Sequence, residues 1–318
     1  MRRALPWVAS LVGASALVTF PYWTAEWESS RFATTVLRDI LVFAIFALSL
    51  DLLVGRAGMP SLGHAAFFGA GAYAAGIATQ RLGTDQLPLT LGAAALVAAA
   101  LALLIGSLVV RSEGIFFLML TLALAQIVFA IAFQWTSLTG GSNGLSGVAR
   151  PFLWGIDLNA PDRMYVLVAV AFLAVILFLR AVSGSPYGHV LVGIRENERR
   201  MRALGYDTTR IRLSAFVLAG TIAGIAGALS AYSLRFVSAQ DVGIGTSIRA
   251  FVMVLVGGAG TLAGPVLGAA VVLYIERILS SAIPIAETVL GLVFVAFVLL
   301  ARQGIVGMGR AAWSRVRP

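Results

Sequence analysis

Neither cysteine nor lysine occurs in this chain of 318 residues; all 23 basic residues are arginine. Without cysteine there are no disulfides and no thiolate metal sites. Without lysine there is no phosphate-binding loop of the nucleotide-hydrolysing kind, and no Schiff-base chemistry. The two histidines, His64 and His189, stand far apart in different contexts, so a histidine metal cluster is not expected and no metal site is assigned. Charge itself is scarce: 12% of residues are charged and 59% are hydrophobic. That leaves too little charge to solvate a soluble protein of this size. The fold class expected is an all-α polytopic membrane protein forming one transmembrane domain over residues 1–318.

The apolar runs fall at Leu5–Tyr22, Val36–Val54, Ser61–Thr79, Leu89–Val110, Ile115–Trp135, Met164–Leu179 and Ile211–Tyr232. Each approaches the ~20 residues that cross a hydrocarbon core. The first, behind Arg2 and Arg3, has the look of a secretory signal but reads better as an uncleaved span. A last apolar region is broken at Gly257 to Gly260 and near Pro284, and divides into crossings at 247–257, 261–279 and 283–301. The total is about ten, some of them broken helices. With the N-terminus inside, this parity puts three arginine clusters on the cytoplasmic side: the start, residues 180–212, and the tail with Arg302, Arg310, Arg315 and Arg317. Both termini are then cytoplasmic. The net charge of +9 is explained by orientation in a bacterial inner membrane, and nucleic acid is not expected as a partner. Glu26, Glu28 and the loop 136–163 fall on the periplasmic side, the loop being either a surface contact or a plain connector.

The longest polar interruption runs from Gly184 to Arg212, GSPYGHVLVGIRENERRMRALGYDTTRIR. Leu191, Ile194, Met201 and Leu204 recur at helical spacing, with Arg195, Arg199 and Arg202 as a basic stripe beside them. Glu196 with Arg200, and Glu198 with Arg202, are i,i+4 pairs in the favourable order. Gly205 is placed to stop the helix, and Asp207 or Thr208 to cap the next. A solvated positive-inside loop would share the charge. Helix, stop and immediate re-entry favour a cytosolic docking element over 184–210, with Arg195, Arg199 and Arg202 as its contact residues.

Residues 55–63, GRAGMPSLG, are either a cytosolic loop or a break inside a membrane helix of the sort that lines transport pathways. Ser61 and His64 there, with Gln126, are the candidate pathway residues. Asp51 at the end of its helix is expected to snorkel and pair with Arg56. Gly220 with Gly224, and Gly260, Gly264 and Gly268, repeat at four-residue steps and are expected to form close helix-packing seams. No buried carboxylate relay of the kind an ion-coupled carrier needs is evident, and no cluster of catalytic carboxylates or histidines.

Four stretches, in order, resemble the LivM-type permeases of branched-chain amino-acid ABC transporters. They are Ala47 to Tyr73 (ALSLDLLVGRAGMPSLGHAAFFGAGAY), TGGSNGLSG at 139–147, Gly193 to Tyr206 followed by Ala215-Phe216 and Ala223 to Ala228, and Val256 to Pro265 (VGGAGTLAGP). The likeness spans about residues 40–280. It departs at Asp51, Met59 and Met201, where members often carry asparagine, glutamine and alanine. The resemblance implies an ABC importer permease fold without catalytic activity of its own, ATP and magnesium being bound by partners. Those partners would be a sister permease (LivH-like), two ATPase subunits (LivG- and LivF-like) and a periplasmic solute-binding protein. It implies too that the segment from Glu198 through Gly205 sits in a groove on the ATPase. Branched-chain amino acids are the expected solute. Urea, amides or aromatic acids are the alternatives within the family, and an ion-coupled secondary transporter is the alternative outside it.

Overall fold

The computed structural model describes residues 17–20, 30–84, 86–153, 155–282, 291 and 304–308. The crossing expected at 283–301, most of Leu5–Tyr22, Glu26, Glu28 and the four arginines of the tail lie outside the described residues. Nine helices of eight or more residues are described: α1 Ser30–Asp51, α2 Ala65–Gln80, α3 Leu87–Val109, α4 Gly114–Gln134, α5 Pro161–Gly184, α6 Pro186–Ala203, α7 Thr208–Leu234, α8 Ile244–Gly257 and α9 Ala263–Ala282. Among the described residues, five stretches are long and apolar enough to cross a membrane: Phe32–Ala57, Leu87–Val109, Gly114–Gln134, Pro161–Gly184 and Thr208–Leu234. Three of the helices begin with proline at the first or second position, where the missing N–H would have had no partner in any case.

The centre of the bundle is α7, which packs against α1, α2 and α3. Small residues let it do so. Ala94, Ala98 and Ala102 of α3 are buried at four-residue steps. They face Gly224 and Gly220, where a Cβ on Gly220 would lie 2.6 Å from that of Ala102. On the same glycine face of α7, an added methyl at Gly227 would run into the Phe68 carbonyl of α2, and one at Gly71 into the backbone at Gly224. Gly268 meets the Met253 carbonyl between α9 and α8, and Gly264 meets that of Gly258. With lipid as apolar as leucine, such backbone approach is a principal source of helix–helix attraction. By contrast α4 buries only Phe117, Thr121, Ala125 and Ala132, and turns Ile115, Phe116, Met119 and Ile127 outward.

Two departures from plain helices position everything else. After Asp51, α1 widens into a π-helical turn, Leu52–Ala57, and ends at Gly58 with φ 68°. The chain then runs irregularly to His64 before α2 begins. After α7, the segment Phe236 to Gly243 folds back against the bundle, so that Val242 lies on Gly69 in the first turns of α2. The short helix α8 starts only there.

The loops sort into two ends. At one, residues 51–63, 111–113, 185–212 and 257–264 contact one another. At the other, β1 (Leu145–Ser146) pairs antiparallel with β4 (Phe236–Val237), and β2 (Phe152–Leu153) with β3 (Ile156–Asp157). Arg150 donates to the carbonyls of Tyr232 and Ser233 at 3.0 and 3.3 Å, fastening this strap to the end of α7. The 136–163 stretch thus holds a helical turn, a 3-10 turn and two-residue strands.

Candidate functional site

The amphipathic helix α6 forms where its sequence provides both a start and a stop. Ser185 caps it, accepting from Gly188 N–H at 3.3 Å, and Pro186 fills the first position. Leu191 and Ile194 are its buried stripe. At Asn197 the backbone leaves helical geometry (φ −158°, ψ 92°), and the Asn197 side chain re-caps the continuation by accepting from Arg200 N–H at 2.9 Å. The helix ends on Gly205 at φ 90°, with Tyr206 N–H bonded to the Met201 carbonyl at 3.2 Å. That is the glycine stop in which a left-handed residue satisfies the last carbonyls. Asp207 then caps α7 through Arg210 N–H at 3.0 Å.

Glu198 is the centre of a clasp between α6 and α7. It accepts from Arg202 at 2.6 Å, from the Thr208 hydroxyl at 2.8 Å and from Arg212 at 3.1 Å. Burial works against its ionisation, but the Thr208 and Arg202 hydrogen bonds and the charges of Arg212 and Arg202 prevail, holding its pKa below the usual glutamate value. Arg212, 5% exposed, also donates to the Ser112 carbonyl at 2.9 Å and reaches Met59 Sδ at 3.4 Å. It therefore joins the kinked helix, the α3–α4 turn and the 55–63 break.

The second tie runs from Arg195. Its guanidinium donates to the Gly55 carbonyl, which the π-turn leaves available, and its stem lies over Gly58. Arg195 thus faces its own chain rather than only outward. Beside it, Asp51 is 3% exposed and accepts from Gly260 N–H at 2.7 Å, joining the 55–63 break to the 257–264 break. The expected snorkelling is corrected here: the carboxylate is spent inside the protein on a backbone N–H freed by the turn before α9, while Arg56 and Arg195 act on it through their charge. Arg199 is exposed on α6. Gly260, at φ 81°, packs against the Gly55 carbonyl at 3.2 Å from where a Cβ would stand.

Of the three candidate pathway residues, two come together and one does not. Ser61 and His64 are fully buried in the break. His64 Nε2 lies 2.8 Å from Ser49 Oγ, with its ring stacked on Phe46. Ala65 N–H, at the start of α2, donates to Ser247 Oγ of α8 at 2.9 Å. The break is therefore a polar node inside the bundle where two helices start. Gln126 is exposed on α4, away from that node, because its position falls on the outward stripe of the helix. Sequence reasoning missed Arg212 and Thr208 as partners of Glu198. The available signal was an arginine five residues into a strongly apolar helix, which needs a partner to be buried at all.

A multi-pass helical bundle with broken helices, carrying a polar helix tied at one end to both breaks, defines a membrane permease. The chain belongs to the family described as the permease component of branched-chain amino acid transport systems, whose model matches residues 32–301. It is 29% identical over 307 residues to the high-affinity branched-chain amino acid permease LivM of Salmonella typhimurium, covering 88% of this chain and 71% of that one. The LivM protein of Escherichia coli is 28% identical with the same coverage. The autoinducer 2 import permease LsrC of Yersinia pseudotuberculosis is 28% identical over 141 residues, 42% of this chain and 38% of its own. No solved structure matches the chain. It is a non-catalytic component of an ABC importer.

Proposed function

We propose that this permease carries branched-chain amino acids inward across the bacterial inner membrane by alternating access, with ATP and magnesium bound and ATP hydrolysed on two partner ATPase subunits. A sister permease completes the pathway, and a periplasmic solute-binding protein delivers the solute to the strap end of the bundle. The α6 end faces the cytoplasm. There the part of α6 from Glu198 to Gly205 docks on the ATPase, with exposed Arg199 among its contacts. Gly220 with Gly224, and Gly260, Gly264 and Gly268, are the seams along which rigid helices hold together as they swing.

The observation that carries this reading is the pair of ties leading from the docking helix into the bundle. A push on α6 reaches Gly55 through Arg195. It passes to Gly260 across Asp51, and to the α3–α4 turn through Arg212. The two breaks are the places where helices can change their relative angle without breaking a continuous hydrogen-bond ladder. Ser61 and His64 stand at that hinge, buried in this state, and come to face the pathway as the helices swing. Proteoliposomes holding the full complex test the reading. Leucine uptake is expected to follow enclosed ATP and to need both ATPase subunits; uptake driven by an ion gradient without ATP would refute it.

A further inference from the structure

We propose that the cavity between α1, α7, α8 and α9 is a transit site for a zwitterionic, apolar α-amino acid, an assignment that rests on the amino-acid importer reading above. The cavity has a volume of about 550 Å³, within the ~300–1,000 Å³ of small-molecule sites. It lies toward the strap end, where Ser233 and Leu234 of α7 reach its wall.

The wall carries charge of both signs on three different helices. Arg277 of α9 pairs with Asp39 of α1 at 3.4 Å, and Arg249 of α8 with Glu276 of α9 at 3.0 Å. Arg38, only 8% exposed, holds the other oxygen of Asp39 at 3.1 Å. Asp39 sits about 13 Å along α1 from its first residue, well inside the helix. Ionisable groups at such depth are costly and normally mark a solute path or a partner. These four side chains are not sealed from the cavity: Arg249 and Arg277 are 40% and 42% exposed, Asp39 and Glu276 24% and 27%. Between them run Val42, Phe43 and Leu273, and the two guanidiniums lie over the rings of Phe43 and Phe32 at 5.8 and 5.1 Å.

A second observation points to a polar occupant. Ser233 lines the cavity and is 7% exposed, and its buried hydroxyl has no hydrogen-bond partner among the described residues. An unmade hydrogen bond of that kind costs about 1–3 kcal/mol, and a ligand would complete it. A zwitterion fits the rest. Its carboxylate takes an arginine and its ammonium a carboxylate, each exchanged for a pair that already exists, so neither solute charge crosses unpaired. The aliphatic side chain lies on the apolar strip between them. Exchange among existing pairs also keeps binding weak enough for release.

Absence of cysteine from the chain makes the test direct. In the assembled complex, the thiol of Ser233→Cys is expected to react with a small polar methanethiosulfonate, and L-leucine is expected to slow that reaction. Isovalerate, which keeps only the carboxylate, and isoamylamine, which keeps only the amine, are expected to leave it unchanged at equal concentration. Protection by isovalerate equal to that by leucine would overturn the zwitterion assignment. A thiol that never reacts, or that no solute protects, would overturn the site. The double variant Arg249→Gln/Glu276→Gln supplies the second arm. It removes the pair without stranding either charge, so a merely structural pair leaves uptake near wild type. The proposal expects uptake to fall about ten-fold or more, the loss of one charge-assisted bond, while ATP hydrolysis stimulated by the binding protein persists. Failure of the wild-type complex to import any amino acid would sink the importer reading instead, and the protection experiment would still judge the cavity.

Discussion

Glu198 shows how much one side chain can hold. Three donors converge on it, one of them the buried Arg212, and removing one member of such a set leaves the others unpaired at a cost of about 3–5 kcal/mol when burial is complete. Its pKa lies below the ordinary glutamate value, so its contribution is present above that value and is lost as pH falls through the folded-state pKa. The thermal stability of wild type is therefore expected to exceed that of Glu198→Gln at neutral pH, with the gap closing only under acid conditions. Unfolding curves of the two purified proteins from neutral to acid pH measure this, and a gap that widened on acidification would contradict it. Asp51 makes a different prediction. It serves as an acceptor for Gly260 N–H, and asparagine keeps an acceptor there. Asp51→Asn is expected to import at near wild-type rate, whereas Asp51→Leu strands that N–H and loses about ten-fold or more. Equal uptake by both variants would show that the bond between the breaks carries nothing.

Among the elements, the seam of α7 with α3 is the clearest case of packing without water's help. Gly224→Ala places a methyl against Ala98 and is expected to cost about 1–3 kcal/mol. Gly92→Ala on the partner helix α3 meets nothing within 4 Å and is expected to stabilise by roughly 0.5–1 kcal/mol. Melting temperatures in detergent decide between them; a harmless Gly224→Ala would mean that the seam is loose. At Gly205 the space is open, so substitution there is resisted by the left-handed backbone alone, about 1–2 kcal/mol. This level of structure was largely legible in the chain. Within the described residues the long apolar runs gave helices within a few residues of those observed, and the glycine stop and Asp207 gave the end of α6 and the start of α7. The kink at Asn197 was not legible, since asparagine in a polar helix carries no mark of whether it bends or is merely exposed. The π-turn at 52–57 and the fold-back at 236–243 were equally hidden, because both are set by partners distant in sequence: Gly260 and Arg195 for one, Gly69 for the other.

For the molecule as a whole, the loops gather at two ends of a bundle of packed helices. Loops that should share a side by alternation do meet in space: 51–63 with 111–113, 185–212 and 257–264 at one end, 145–159 with 233–237 at the other. The site was legible only in part. Charge and spacing pointed to α6, yet gave no hint that Arg195 turns back onto Gly55, and the polarity of Gln126 said nothing about which face of α4 it occupies. The charged cavity of α1, α8 and α9 escaped the sequence altogether, since Asp39, Arg249 and Glu276 each look like isolated boundary charges until the helices bring them together. Transport on this account is a lever problem: force enters at α6 and leaves at the hinge of broken helices. Glu198→Arg in the complete complex, reconstituted with ATP, is the most direct test. The account predicts a protein that inserts and assembles, and a complex that still hydrolyses ATP but imports less than about a tenth of the wild-type amino acid, because a reversed charge opens the clasp. Import at the wild-type rate would mean that the clasp does not transmit the stroke.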